Sequence, residues 1–220
     1  MAYCFNPLTK TCFMKKYIVE FIGTFFLVLA VCMAGTKAGD MAPVAIGATL
    51  MVMIFAGGHV SGGHYNPAVT LAVFIRGKCD MTDALFYWVF QIAGGVVAGL
   101  LASRYFEYSV AAASPDLPIK ALVAEVIGTF ALAYVVLNVA TADKNAGNSF
   151  YGLAIGFTVT AMAYTLGPVS MGAFNPAVAL GAATFGAFAW GTIWVYLIGC
   201  LLGGALAGIT YKFIIKPDEA

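Results

Sequence analysis

The chain has 220 residues, of which 62% are hydrophobic and 10% charged, with a formal net charge of +1. Soluble domains carry about 25% charged residues and about 45–50% apolar ones, so this composition excludes a soluble fold and indicates an integral membrane protein. A net charge so close to zero gives no electrostatic case for nucleic acid.

Long apolar segments follow one another along the chain, and each bilayer crossing needs about 20 mostly apolar residues. Tyr17–Gly35 comes after Lys15-Lys16. It is too long for a signal-peptide core and is predicted to be a first spanning helix, not a cleaved leader. Pro43–Gly57 is the second span. After it comes the phrase GHVSGGHYNPAVTLA, starting at Gly58, whose end is a short apolar segment from Pro67 to about Ile75. Thr82–Ser103, Ala121–Ala142 and Ser149–Leu166 are predicted as spans three to five. GPVSMGAFNPAVALG, starting at Gly167, leads into a second short segment, from Pro176 to about Phe185, and Phe188–Phe213 is the last span. From Asn145 to Tyr211 there is no formal charge. These segments lack the short alternating pattern of barrel strands, so the fold class is all-α, with six transmembrane helices and two shorter ones.

The sequence also repeats. VEFIGTFFLVL from Val19 is echoed by AEVIGTFALAY from Ala124, 105 residues later, and the two Asn-Pro-Ala phrases are 109 residues apart. The whole chain, 1–220, is therefore expected to be a single channel-like domain made of two halves, about 17–105 and about 119–214. Each half has three spans, an odd number, so the second must sit inverted relative to the first. Lys10, Lys15, Lys16, Arg76, Lys78, Lys144, Lys212 and Lys216 then fall on one side, and Lys37, Arg104 and Lys120 on the other. By the positive-inside rule both termini are cytoplasmic.

Each short segment is about ten residues, or about 15 Å at helical rise. One alone cannot cross a core of about 30 Å, but two end to end can. Asn is a favoured N-cap and Pro is favoured at the first helical position. Asn66-Pro67-Ala68 and Asn175-Pro176-Ala177 thus read as two helix starts meeting at the midplane. Each Asn oxygen would cap its own helix and leave the NH₂ as a fixed donor. Two helix N-termini bring partial positive charge to the same place, which repels cations and orients neutral hydrogen-bond acceptors. Asn6-Pro7 has no such context and is a decoy.

The paired Asn-Pro-Ala motifs, the SGGHYNPAVT run and the two Glu-x-x-Gly-Thr-Phe openings together resemble the major intrinsic protein family, the aquaporins and aquaglyceroporins, from about Tyr17 to Tyr211. The resemblance implies a right-handed, aquaporin-like bundle of six helices and two half-helices, assembled as a homotetramer in the cell membrane with one pore per subunit and passive single-file permeation. It implies that Asn66 and Asn175 are the midplane donors. It implies that carbonyls of Gly62, Gly63, His64, Met171, Gly172 and Ala173 line the pore, and that Glu20 and Glu125 brace the two loops. An outer selectivity filter is implied at Ile46, Ala163, Gly172 and Val178. Water-selective members carry Arg at the last of these and His at the second. Glycerol-type members keep the Arg and follow it with Asp, where this chain has Ala179. The filter here is therefore expected to be wide and apolar, passing water and small uncharged solutes. The alternative is a water-selective channel refilled by Tyr164, the neighbour of Ala163.

No cofactor is implied and no enzyme: no nucleophile–base set is visible. His59 and His64 lack neighbouring Cys or carboxylate ligands for a metal site, although His59 could face the cytoplasmic mouth and sense pH. Cys4, Cys12, Cys32, Cys79 and Cys200 fit no metal spacing and are expected to be idle. A coupled transporter would need titratable groups in the pathway beyond Glu20 and Glu125. A purely adhesive membrane protein would keep the pore closed.

Overall fold

The computed structural model describes residues 10–215, with side chains described from 14 to 214. Cys4, Asn6-Pro7 and Lys216, and the side chains of Lys10 and Cys12, lie outside the described residues. The helices are α1 (Lys10–Lys37), α2 (Ala42–Ser61), α3 (Pro67–Arg76), α4 (Met81–Leu100), α5 (Pro118–Val136), α6 (Tyr151–Ser170), α7 (Pro176–Phe185) and α8 (Ile193–Thr210). Six of them, with their terminal turns, are long and apolar enough to cross a membrane, whereas α3 and α7 are not. The chain is a multi-pass membrane protein. Its spans run a few residues past the apolar segments at several ends. The excess is local chemistry: Asp80 caps α4 through Asp83 N–H at 2.7 Å, and α5 opens on Pro118.

Contacts between distant residues define the two ends of the bundle. At one end Lys16 pairs with Asp83 at 2.6 Å, and Arg76 donates to Thr141 Oγ1 at 2.8 Å and lies over the Tyr211 ring. Lys78 and Asp143 are 3.7 Å apart there. At the other end Lys37 lies over Tyr108, and Ala113 forms an isolated parallel bridge with Phe188. The half-helix α3 finishes at Arg76, at the first end, and α7 finishes at Phe185, beside Phe188 at the second. Their N-termini meet between the ends. The half-helices therefore run outward from one centre in opposite directions, as the inverted repeat requires.

Small residues make this possible. Gly95 on α4 faces the carbonyl of Ala177, where an added Cβ would sit 2.6 Å from the oxygen. Gly204 on α8 faces the carbonyl of Ala68 even more closely. Each half-helix thus lies on the glycine face of a spanning helix, the close approach that membrane bundles use in place of hydrophobic driving force. The Ala of each Asn-Pro-Ala phrase is fully buried at that contact. Cys32 and Cys200 are buried free thiols, and Cys79 is a partly buried one.

Candidate functional site, a lumen between two helix starts

Asn66 and Asn175 have extended backbones, with φ of −158° and −161°. The Asn66 Oδ1 accepts from Ala68 N–H at 2.8 Å and Val69 N–H at 3.4 Å. Asn175 Oδ1 does the same for Ala177 at 2.9 Å and Val178 at 3.5 Å. Both are N-caps as the sequence implies. Their amides, however, are not simply free donors. Asn66 Nδ2 donates to the Phe174 carbonyl at 2.9 Å, and Asn175 Nδ2 donates to the Tyr65 carbonyl at 2.8 Å. An amide carries two hydrogens, so one of each pair ties the loops together and the cross-loop bond leaves the other unused.

The loops that precede each Asn follow the same course. Gly62 and Gly63 have φ of 91° and 65°, and Met171 and Gly172 have φ of 73° and 68°. The residue before each Asn is also left-handed: Tyr65 at φ 49° and Phe174 at φ 48°. That conformation costs a non-glycine residue about 1–2 kcal/mol, so something must hold it. Glu20 and Glu125 do so, both fully buried. Glu20 Oε1 accepts from Ser61 Oγ at 2.6 Å and His64 N–H at 3.0 Å. Its Oε2 accepts from Tyr65 N–H at 2.6 Å and Gln91 Nε2 at 2.8 Å. Glu125 Oε1 accepts from Ser170 Oγ at 2.6 Å and Ala173 N–H at 3.0 Å. Its Oε2 accepts from Phe174 N–H at 2.7 Å and from the Cys200 thiol at 3.3 Å. A carboxylate has room for about four such bonds, and each glutamate uses both oxygens twice. The two serines complete the pattern by accepting from Gly63 and Gly172 N–H at 3.0 and 3.2 Å.

Loop N–H groups held inward leave carbonyls facing the other way. Together the loops, the two Asn residues and apolar side chains of α1, α2, α3, α5, α6 and α7 line a narrow lumen with a cavity volume of about 40 Å³. At about 10–15 Å³ per water, about three waters fit.

Ile46, Ala163, Gly172 and Val178 all line this lumen. So do Gly63, His64, Ala173, Asn66 and Asn175. Gly62 and Met171 are the left-handed C-caps of α2 and α6, and they are not among the lumen's lining residues. Tyr65 and Phe174 line it instead. Tyr164 does not refill the filter. It is 48% exposed, and its hydroxyl donates to the Asp40 carbonyl. A residue one step along a helix is turned by about 100°, which puts Ala163 inward and Tyr164 outward. His59 is exposed and is not one of the lining residues. Among the described residues no group of three His, Cys, Asp or Glu side chains could hold a metal ion.

Sequence reasoning missed the serines, the left-handed aromatics and the fourth donors. Ser61 and Ser170 occupy matching places in the two repeated phrases and were visible there. Gln91 and Cys200 are also 109 apart in sequence, but they differ in type, so no motif marks them. His64 is fixed too. Thr70 Oγ1 donates to the Asn66 carbonyl at 3.1 Å and accepts from Gln91 Nε2 at 3.0 Å. The same oxygen lies 3.1 Å from His64 Nδ1, which holds the imidazole in place.

The model of the family described as Major intrinsic protein matches residues 7–211. The putative aquaporin NIP4-1 of Arabidopsis thaliana is 35% identical over 98% of this chain and 80% of its own. The probable aquaporin TIP2-2 of Oryza sativa subsp. japonica is 34% identical over 91% of this chain and 87% of its own. The X-ray structure of the aquaglyceroporin from Plasmodium falciparum superposes with a TM-score of 0.81, covering 93% of this chain and 98% of that one at 20% identity, a likeness of fold.

Proposed function

The chain belongs to the major intrinsic protein family, and on that premise we propose that it is a passive channel, not an enzyme, conducting water and small uncharged solutes through the lumen between its two Asn-Pro-Ala helix starts. The observation that carries the solute class is the lining at Ile46, Ala163, Gly172 and Val178. None of these four side chains is charged or able to donate a hydrogen bond, and Tyr164 points elsewhere. The absence of Arg and His side chains at these positions supports a filter that admits solutes larger than water. Undissociated metalloid acids such as arsenous or boric acid, hydrogen peroxide, ammonia, urea and small polyols are the candidates.

Ions are refused by other means. The N-termini of α3 and α7 set partial positive charge on the path, which opposes cations. At the filter, the apolar side chains of Ile46, Ala163 and Val178 give an ion nothing to replace its hydration shell. Asn66 and Asn175 serve as midplane donors with their remaining amide hydrogens, Gly63, His64, Gly172 and Ala173 as the carbonyl stripe, and Glu20 and Glu125 as loop braces. The chain acts as one domain of two inverted halves.

The protein works as a homotetramer in the plasma membrane with both termini in the cytoplasm. In support, Lys16, Arg76 and Lys78 gather at one end of the bundle through their contacts with Asp83, Thr141 and Asp143. That end is the cytoplasmic one by the positive-inside rule. Exposed apolar side chains on every spanning helix suit lipid and neighbouring subunits.

The test is stopped-flow swelling of vesicles containing the purified protein. Water, urea and glycerol should all move faster than in empty vesicles. Passage of water alone would sink the wide-filter reading, and no flux at all would indicate a closed, structural protein.

A further inference from the structure

We propose that this lumen selects, among neutral solutes of similar size, those that donate hydrogen bonds; the inference rests on the channel reading above and assigns its solute class. The geometry behind it is a division of polar groups. The N–H groups of Gly63, His64 and Tyr65 are bonded to Ser61 and Glu20. Those of Gly172, Ala173 and Phe174 are bonded to Ser170 and Glu125. Among the described residues, no donor is bonded to the carbonyls of Gly63, His64, Gly172 or Ala173, and all four residues line the lumen.

The lining side chains with polar atoms are His64, Tyr65, Asn66 and Asn175. The Tyr65 hydroxyl donates away from the lumen, to the Met53 carbonyl at 2.9 Å. His64 Nδ1 is engaged with Thr70 Oγ1. Apart from that ring, the donors that remain on these side chains are the second amide hydrogens of Asn66 and Asn175, both at the midplane. The four filter positions add apolar surface only. On either side of the midplane, the wall therefore offers acceptors and hydrocarbon.

A solute entering this passage sheds water. One with N–H or O–H groups recovers bonds on the carbonyls at every step. One that only accepts recovers them at the Asn pair and nowhere else, so it crosses both flanks with its acceptor unpaired. One unpaired acceptor is enough to slow passage roughly tenfold.

Dimethyl sulfoxide has no donor and is bulkier than planar urea, so glycerol, a donor of similar molecular volume, is its size-matched comparison and urea is the smaller donor. Protein-mediated flux is taken as the difference between loaded and empty vesicles. The expected result is urea and glycerol conducted, with dimethyl sulfoxide roughly tenfold or more slower than glycerol. Val178→Gln, which adds an amide donor to the filter, should raise dimethyl sulfoxide relative to glycerol. Equal glycerol and dimethyl sulfoxide fluxes through the wild-type protein would overturn the inference and leave the wide filter standing. Flux of neither urea nor glycerol would overturn the wide filter itself, and this inference with it.

Discussion

The side-chain amide of Asn66 donates a 2.9 Å hydrogen bond to the main-chain carbonyl of Phe174, 108 residues away. Asn175 returns the bond to Tyr65 at 2.8 Å. Each Asn therefore caps its own half-helix and secures the opposite loop, and these bonds use only one of its two amide hydrogens. Asn66→Asp keeps the capping oxygen but removes the donor and faces a carbonyl with a second acceptor. It should lose about 1–3 kcal/mol of stability, and Asn66→Ala, which loses the cap as well, should lose more. Thermal unfolding of the detergent-solubilised protein measures both. Wild-type stability in Asn66→Asp would show that the cross-loop bond carries no weight.

The two glutamate clamps are alike in three donors and differ in the fourth. Gln91 donates to Glu20 at 2.8 Å and also to Thr70 at 3.0 Å, whereas Cys200 offers Glu125 a weak thiol donor at 3.3 Å. Bonds to a charged acceptor contribute about 1.5–3 kcal/mol each. Gln91→Ala should therefore destabilise by about 2 kcal/mol or more, and Cys200→Ala by less than about 1 kcal/mol. Glu20→Gln and Glu125→Gln should each be worse than either, since an NH₂ would face groups that donate. Unfolding midpoints of the four variants rank them, and a larger loss for Cys200→Ala than for Gln91→Ala would contradict this account.

Val178 and Tyr164 make opposite predictions about selectivity. Val178→Arg puts a bulky cation into the lumen and should cut urea and glycerol flux at least tenfold while water still passes. Tyr164→Phe removes a hydroxyl bonded to Asp40 outside the lumen and should leave the urea-to-water ratio unchanged. Both are read by vesicle swelling. A changed ratio in Tyr164→Phe would return that ring to the pathway.

Gly95 and Gly204 seat the half-helices. A Cβ on Gly204 would collide with the Ala68 carbonyl, and one on Gly95 would lie 2.6 Å from the Ala177 carbonyl. Neither obstacle is a flexible side-chain end, so the backbone must move. Gly204→Val and Gly95→Val should each cost upwards of about 1–3 kcal/mol, the usual range for overpacking, with loss of flux. Gly191 has nothing near its Cβ position, and Gly191→Ala should be silent in the same unfolding and flux assays.

Much of this architecture is local and therefore legible in the sequence. Apolar length identifies the six spans. Asn followed by Pro marks the starts of α3 and α7, because capping and a fixed φ depend only on neighbouring residues. The repeat with three spans per half dictates the inversion. The missing Arg and His are plain from Val178 and Ala163. What only tertiary structure decided is which atoms meet across the bundle. That Asn66 reaches Phe174, that Gln91 and Cys200 fill matching places, and that Tyr164 turns outward while Ala163 turns in all depend on how helices rotate and pack. The left-handed Tyr65 and Phe174 belong to the same class. Their strain is held by carboxylates 45 and 49 residues away, a bond that no stretch of neighbouring sequence encodes.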